Sequence, residues 1–303
     1  MTEEYLLAPF NDEVPAKQRT ETAIAMSELV MKIATHIICH TLVDYQEQLS
    51  DERLSVAHAF LQRVTSTHLC NHKLTTEGIV YEYLGQPFLL PEEYKTLTLT
   101  RTAYEHLAMF YFLFERPKSE AERDVVWKYW QVCSKKNLLD GGIDDDEQLE
   151  EHQVDLIEEI ELLRQDILSS PIVAGCRQKL DEWTKIGNTV NSGSIMFTKK
   201  HDRYDVRRIS YSQACRFLFR NDDMTQLYRY LSMHCHPVYD GLRLYQFQPT
   251  TNQGEEALSL YFSCTILAHL CRLFLKQLPD GRSVIARAFS RHERALFDGL
   301  ATM

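Results

Sequence analysis

Along most of this chain apolar residues recur three and four positions apart, the period of an α-helix that buries one face. Glycine and proline are sparse and clustered, which leaves long helical segments joined by a few marked connections. Residues 16–49 carry Ile24, Met31, Ile38, Leu42 and Tyr45 as one apolar stripe. Ser50, followed by Glu52 and Arg53, suits the cap of a second helix running to about residue 70. Gly78, Gly85, Pro87 and Pro91 then mark a connection, with a short strand-like or helical turn around 79–84.

Pro91 with Glu92 and Glu93 opens a helix to about Arg116, where Pro117 stops it. Leu107, Met109, Phe110, Phe112, Leu113 and Phe114 make its second half apolar on nearly every side, the mark of a central helix. Ser119 and Glu122 form a capping-box pattern for a helix to about residue 136 bearing Val125, Trp127 and Trp130. Residues 139–146 read as a loop, followed by an acidic helix to 168 and a further helix from Pro171 to about 186. The polar stretch 187–208 shows no period and reads as a long loop. Helices resume at 210–219, 222–235, 250–278 and 281–300. The pattern predicts an all-α, multi-helix bundle: one domain over 1–303, with a sub-division at 1–140 and 141–303 as the variant.

With 303 residues, of which 44% are hydrophobic, the chain can bury a large core. The acidic N-terminus lacks the basic region of a signal peptide, and the apolar stretch 258–275 contains His269 and Arg272, so it reads as a core helix and not a membrane span. Eight cysteines without a CxxC pair read as buried thiols of a reducing compartment. These features predict a cytoplasmic protein. A net charge of −10 argues against a general nucleic-acid coat. The charge is uneven, however, with carboxylates dense over 140–166 and Lys199, Lys200, Arg203, Arg207, Arg208, Arg216 and Arg220 close together. Those segments are either solvated faces, partners of each other, or, for the basic one, a site for a nucleotide or an RNA backbone.

Two helical constellations could carry chemistry. Arg101 and Glu105 lie one turn apart on one face, either as an internal ion pair or as a guanidinium fork presented to an anion. Arg229, Ser232 and His236 can share a face of a helix that Pro237 ends, with His236 either favoured by the helix C-terminus or placed for acid/base work. His68, Cys70 and His72, and His234 with His236, stand at poor metal spacing, and His36 and His40 lack the glutamate of a metalloprotease motif. No metal is expected. No P-loop or nucleophile elbow is present, so no cofactor is expected either.

The R-x-x-x-E pattern of Arg101 and Glu105, the aromatic run ending in Arg116 and Pro117, and the later Y-R-x-L-S-x-x-x-H-P from Tyr228 to Pro237 resemble an uncharacterised bacterial domain family of the HEPN-like type. That resemblance covers about half the chain. It implies a helical bundle, often dimeric, and in ribonuclease members an Arg and a His that act on the RNA 2′-hydroxyl without metal. Arg101, Glu105 and Ser232 would then bind ligand, while Arg229 and His236 would be catalytic. Tyr230 stands where active ribonucleases usually carry a polar residue after the Arg. Pairs of Arg and His with four residues between them occur five times, as Arg53/His58, Arg63/His68, Arg101/His106, Arg229/His234 and Arg287/His292, and on a helix such pairs diverge. The expected role is binding of RNA or a nucleotide, with metal-independent ribonuclease activity in stress or defence. The alternative is a non-catalytic oligomeric scaffold.

Overall fold

The computed structural model describes residues 13–83, 86–90, 93–140, 147–188, 193–201, 203–219, 226, 228–232 and 253–302. It is an all-α, multi-helix fold with two small hairpins. In chain order the elements are α1 (Ala16–Asp44), α2 (Glu52–Glu77), β1 (Ile79–Tyr83), β2 (Gln86–Leu90), α3 (Glu93–Phe110), α4 (Glu120–Asp140), α5 (Glu147–Ser169), α6 (Arg177–Thr184), β3 (Ile195–Lys200), β4 (Arg203–Arg208), α7 (Tyr211–Leu218), a helical stretch at 228–232, α8 (Gln253–Leu275), α9 (Gly281–Ala288) and α10 (Arg291–Leu300). Contacts divide the chain into two compact units, Met1–Ala108 with Cys215–Met303, and Met109–Ala214.

In the first unit α8 packs along both α1 and α2, which also pack on each other. Leu260, Tyr261, Cys264, Leu267, Leu270, Cys271 and Phe274 of α8 are buried on nearly every side, as a central helix requires. Among the described residues two helices, Ala16–Asp44 and Ala257–Leu275, are long and apolar enough to cross a membrane, and 78% of the second is buried inside the protein. The face that α1 buries is not the expected stripe. Ala23, Met26, Ser27, Val30, Ile33, Ala34, Ile37 and Thr41 turn inward, whereas Ile24, Met31 and Ile38 are half-buried and Leu42 is exposed. Small residues on the inner face let neighbouring helices approach closely, and a reading weighted to bulky side chains overlooks them.

The cap of α2 is Asp51, whose carboxylate accepts from Leu54 N at 2.8 Å, while Ser50 turns back to Glu47 O at 2.7 Å and closes a 3-10 turn. The helix runs on to Glu77, past the expected end. The connection that follows is an antiparallel hairpin pairing Ile79 with Leu90 and Tyr83 with Gln86. The region read as one helix over 281–300 is broken at Phe289, where Ser290 and Glu293 form a capping box that starts α10. Not every cysteine is buried, since Cys39 and Cys70 are exposed.

In the second unit α5 and α6 pack on α4. Helix α3 widens into a π turn over Tyr111–Glu115, closed by Arg116 N donating across five residues to Tyr111 O at 2.9 Å. Ser119 Oγ accepts from Glu122 N, and the Glu122 carboxylate reaches back to Lys118 N, so the start of α4 is capped in both directions. The core joins Phe112, Leu113 and Phe114 to Val125, Trp127, Tyr129, Ile160, Ile172 and Leu180. The acidic helix α5 is held by cations of α4, with Lys128 on Asp166 at 3.1 Å and Lys135 on Glu159. The expected loop over 187–208 is instead an antiparallel hairpin, β3 with β4, turning at His201 with φ 53°. Ser194, Ile195, Met196 and Phe197 are all buried, so the strand shows no alternation to recognise. Gly193 approaches Trp130 so closely that a Cβ would stand 2.5 Å from its ring.

Candidate functional site

Helix α3 holds Arg101 and Glu105 one turn apart, and Arg101 Nε donates to Glu105 Oε1 at 2.9 Å. Their side chains are 18% and 28% exposed, so the pair lies at the edge of the core and not inside it. A third residue, separated by more than a hundred positions, completes the arrangement. Tyr228 Oη donates to the same Glu105 oxygen at 3.1 Å, and the Arg101 guanidinium lies over the Tyr228 ring at 5.8 Å. Burial raises the Tyr228 hydroxyl pKa, and the Glu105 carboxylate pushes it the same way, so the phenol remains a donor. Ser232, one turn further along, lies beside that hydroxyl.

Aromatic packing holds Tyr228 in place. Tyr104 sits 5.0 Å from the Tyr228 ring and stacks at 6.2 Å on Phe219, which meets His269 edge-on. Burial lowers the His269 pKa to about 4, with Arg272 acting in the same direction, so this ring is neutral at physiological pH. The structure therefore gathers Arg101, Glu105 and Ser232 around Tyr228. Arg229 is exposed, while Leu231 turns inward. His236 lies outside the described residues.

The Arg/His pairs that span five positions do not gain a shared site from the surroundings of His68 and His106. His68 is fully buried while Arg63 is exposed. His106 is half-buried and its Nδ1 donates to Thr102 O at 2.7 Å, one turn back on its own helix. Among the described residues no group of three His, Cys, Asp or Glu side chains is placed to hold a metal ion.

Sequence reading missed a buried polar seam in the first unit. Ser27 Oγ on α1 meets His68 Nε2 and His72 Nδ1 on α2, both at 2.9 Å. His68 Nδ1 reaches Ser263 Oγ on α8 at 2.7 Å. Beside them Asn71 donates to Thr100 at 2.9 Å, and Thr100 shares a hydrogen bond with Ser259 at 3.0 Å. Burial, with His72 nearby, lowers the His68 pKa to about 3, so the ring stays neutral and one of its nitrogens donates while the other accepts. The signal was present in the polar pairs His68/His72, Thr96/Thr100 and Ser259/Ser263, each one turn apart at i, i+4 on a helix.

No curated protein and no solved structure matches the chain. A protein-family model does match, over residues 93–255, which takes in Arg101, Glu105, Arg229, Ser232 and His236. The chain thus belongs to a family of unknown function, DUF5677.

Proposed function

We propose that the chain is a HEPN-like helical protein of the cytoplasm, working as a homodimer, that binds RNA or a nucleotide through phosphate contacts from Arg101 and Arg229. The observation that supports this reading is the setting of Arg101. Glu105 and the Tyr228 ring orient its guanidinium at a position still 18% exposed, and an oriented arginine fork at a surface suits phosphate recognition. Exposed Arg229, next in sequence to Tyr228, adds a second cation on the same family segment. In the ribonuclease form of the proposal His236 supplies acid/base work without metal, an assignment that rests on the resemblance of the sequence pattern.

The second reading is a non-catalytic scaffold, and one observation favours it: Glu105 Oε1 accepts from both Arg101 and Tyr228, as an ion pair built to fix helix packing would. Titration with labelled single-stranded RNA in the presence of a chelator separates the two. Binding that weakens about tenfold in Arg101→Ala and Arg229→Ala, with the helical circular-dichroism signal intact, supports the ligand site. Affinity unchanged in both variants overturns it, and a ligand-free assembly in native mass spectrometry turns the conclusion to the scaffold. RNA cleavage unaltered in His236→Ala removes the catalytic part.

A further inference from the structure

An open cleft of ≈ 1170 Å³ lies where the end of α8 meets α9 and α10, outside the segment that the family model covers. Its lining includes five cations: Arg272 and Lys276 at the end of α8, Arg282 on α9, and Arg291 and Arg294 on α10. Among the described residues of the lining the carboxylates are Asp280 and Asp298. In a chain of net charge −10 such a local excess of positive charge is a built feature of the fold. Ile285, Ala286 and Ala295 supply an apolar wall beside the cations, while Leu275, Leu278 and Phe297 of the lining are buried.

The backbone explains how these residues converge. A Cβ at Gly281 would stand 1.8 Å from Leu275 O, so only glycine lets α9 begin hard against the end of α8. The Ser290 and Glu293 capping box then sets the direction of α10. Glu293 does not neutralise the cleft. Its carboxylate is engaged by the Ser290 backbone N–H and by Lys32 Nζ, each at 2.9 Å.

We infer that this cleft binds a small phosphorylated molecule of nucleotide size, with Arg282, Arg291 and Arg294 on the phosphates and the Ile285, Ala286 and Ala295 wall against the organic moiety. Converging arginines satisfy the phosphate oxygens through charge-assisted, bidentate hydrogen bonds. The volume suits a ligand of that size, whereas a nucleic-acid strand calls for an extended basic stripe.

Isothermal titration of the full chain with ADP and with inorganic pyrophosphate tests this. Both bind, ADP the tighter because it also covers the apolar wall. The double variant Arg282→Gln/Arg291→Gln weakens both by about tenfold or more, and because the two side chains are exposed its thermal midpoint stays near that of the parent. Arg101→Ala leaves this binding intact, so failure here and failure of the proposed RNA site are separable. The inference is overturned if neither ligand binds at millimolar concentration, or if the double variant binds as well as the parent. Loss of binding in Arg101→Ala alone also overturns it, as does displacement of ADP by single-stranded RNA that binds the cleft more tightly.

Discussion

The two compact units are held by different physics. The first, around α1, α2 and α8, buries neutral polar groups in its core: Ser27, His68, Asn71, Thr100, Ser259 and Ser263 form a seam of hydrogen bonds between helices. The second, around α4, buries an aromatic core of Phe112, Phe114, Trp127 and Tyr129, and places its charges at the rim, with Lys128, Lys135 and Arg164 bridging to Asp166, Glu159 and Asp181. Buried neutral hydrogen bonds cost little when all are made and much when one is broken, whereas rim ion pairs are individually weak. The first unit is therefore sensitive to the protonation of its histidines, and the second to the volume of its aromatic side chains.

One exception in the second unit sharpens the contrast. Lys136 is buried, and its ammonium donates to Trp183 O at 3.1 Å and to Lys185 O. Burial lowers its pKa, and the carbonyls at the end of α6 are what make the charge tolerable.

The largest effect is expected from Trp127→Ala, which empties the centre of the second unit where Trp127 meets Phe114 and Trp130. A loss of about 3–5 kcal/mol is expected in denaturant unfolding, with amide-exchange protection falling first in α4 and α5. Uniform loss of protection through α1, α2 and α8 instead would abolish the distinction between the units.

His68→Ala should cost about 2–3 kcal/mol at pH 7, because it strands Ser263 in the core of the first unit and takes one of the two histidine partners of Ser27. Its pH profile is the sharper test. Folded His68 stays neutral down to about pH 3, while an unfolded histidine takes up its proton near 6.5. The unfolded chain then binds more protons, so stability falls as pH drops from about 6.5 towards 3, by at most about 1.4 kcal/mol per pH unit from this ring. His269, lowered to about 4, adds to the same slope. The His68→Ala variant should show a flatter decline over that window, and a profile parallel to the parent would refute the seam's role.

The smallest effect belongs to the rim. Lys135→Met removes the pairing with Glu159 and should change stability by about 0.5 kcal/mol, with 1 M salt lowering the parent about as little. A change above 2 kcal/mol would show that the second unit depends on its charges as the first depends on its buried polar groups.

Much of the architecture was legible because helices announce themselves locally. Period, proline and glycine placement marked α1, α3, α4 and α8, and Arg101 with Glu105 followed from a spacing of one turn. The errors share a cause. The inner face of α1 and the β3–β4 hairpin were misread because Ala23, Ser27 and Ala34, or four consecutive buried residues from Ser194 to Phe197, carry no periodic hydrophobic signal of their own.

The sequence by itself determined the all-α class, the helical segments and the Arg101/Glu105 pair, since each depends on residues within a turn or two of one another. Only the tertiary structure decided that Tyr228 completes that pair, that His68 lies between Ser27 and Ser263, and that five cations converge where α8, α9 and α10 meet. Those arrangements join helices whose approach is set by packing of whole faces, and packing is a property of the folded chain that no single segment encodes.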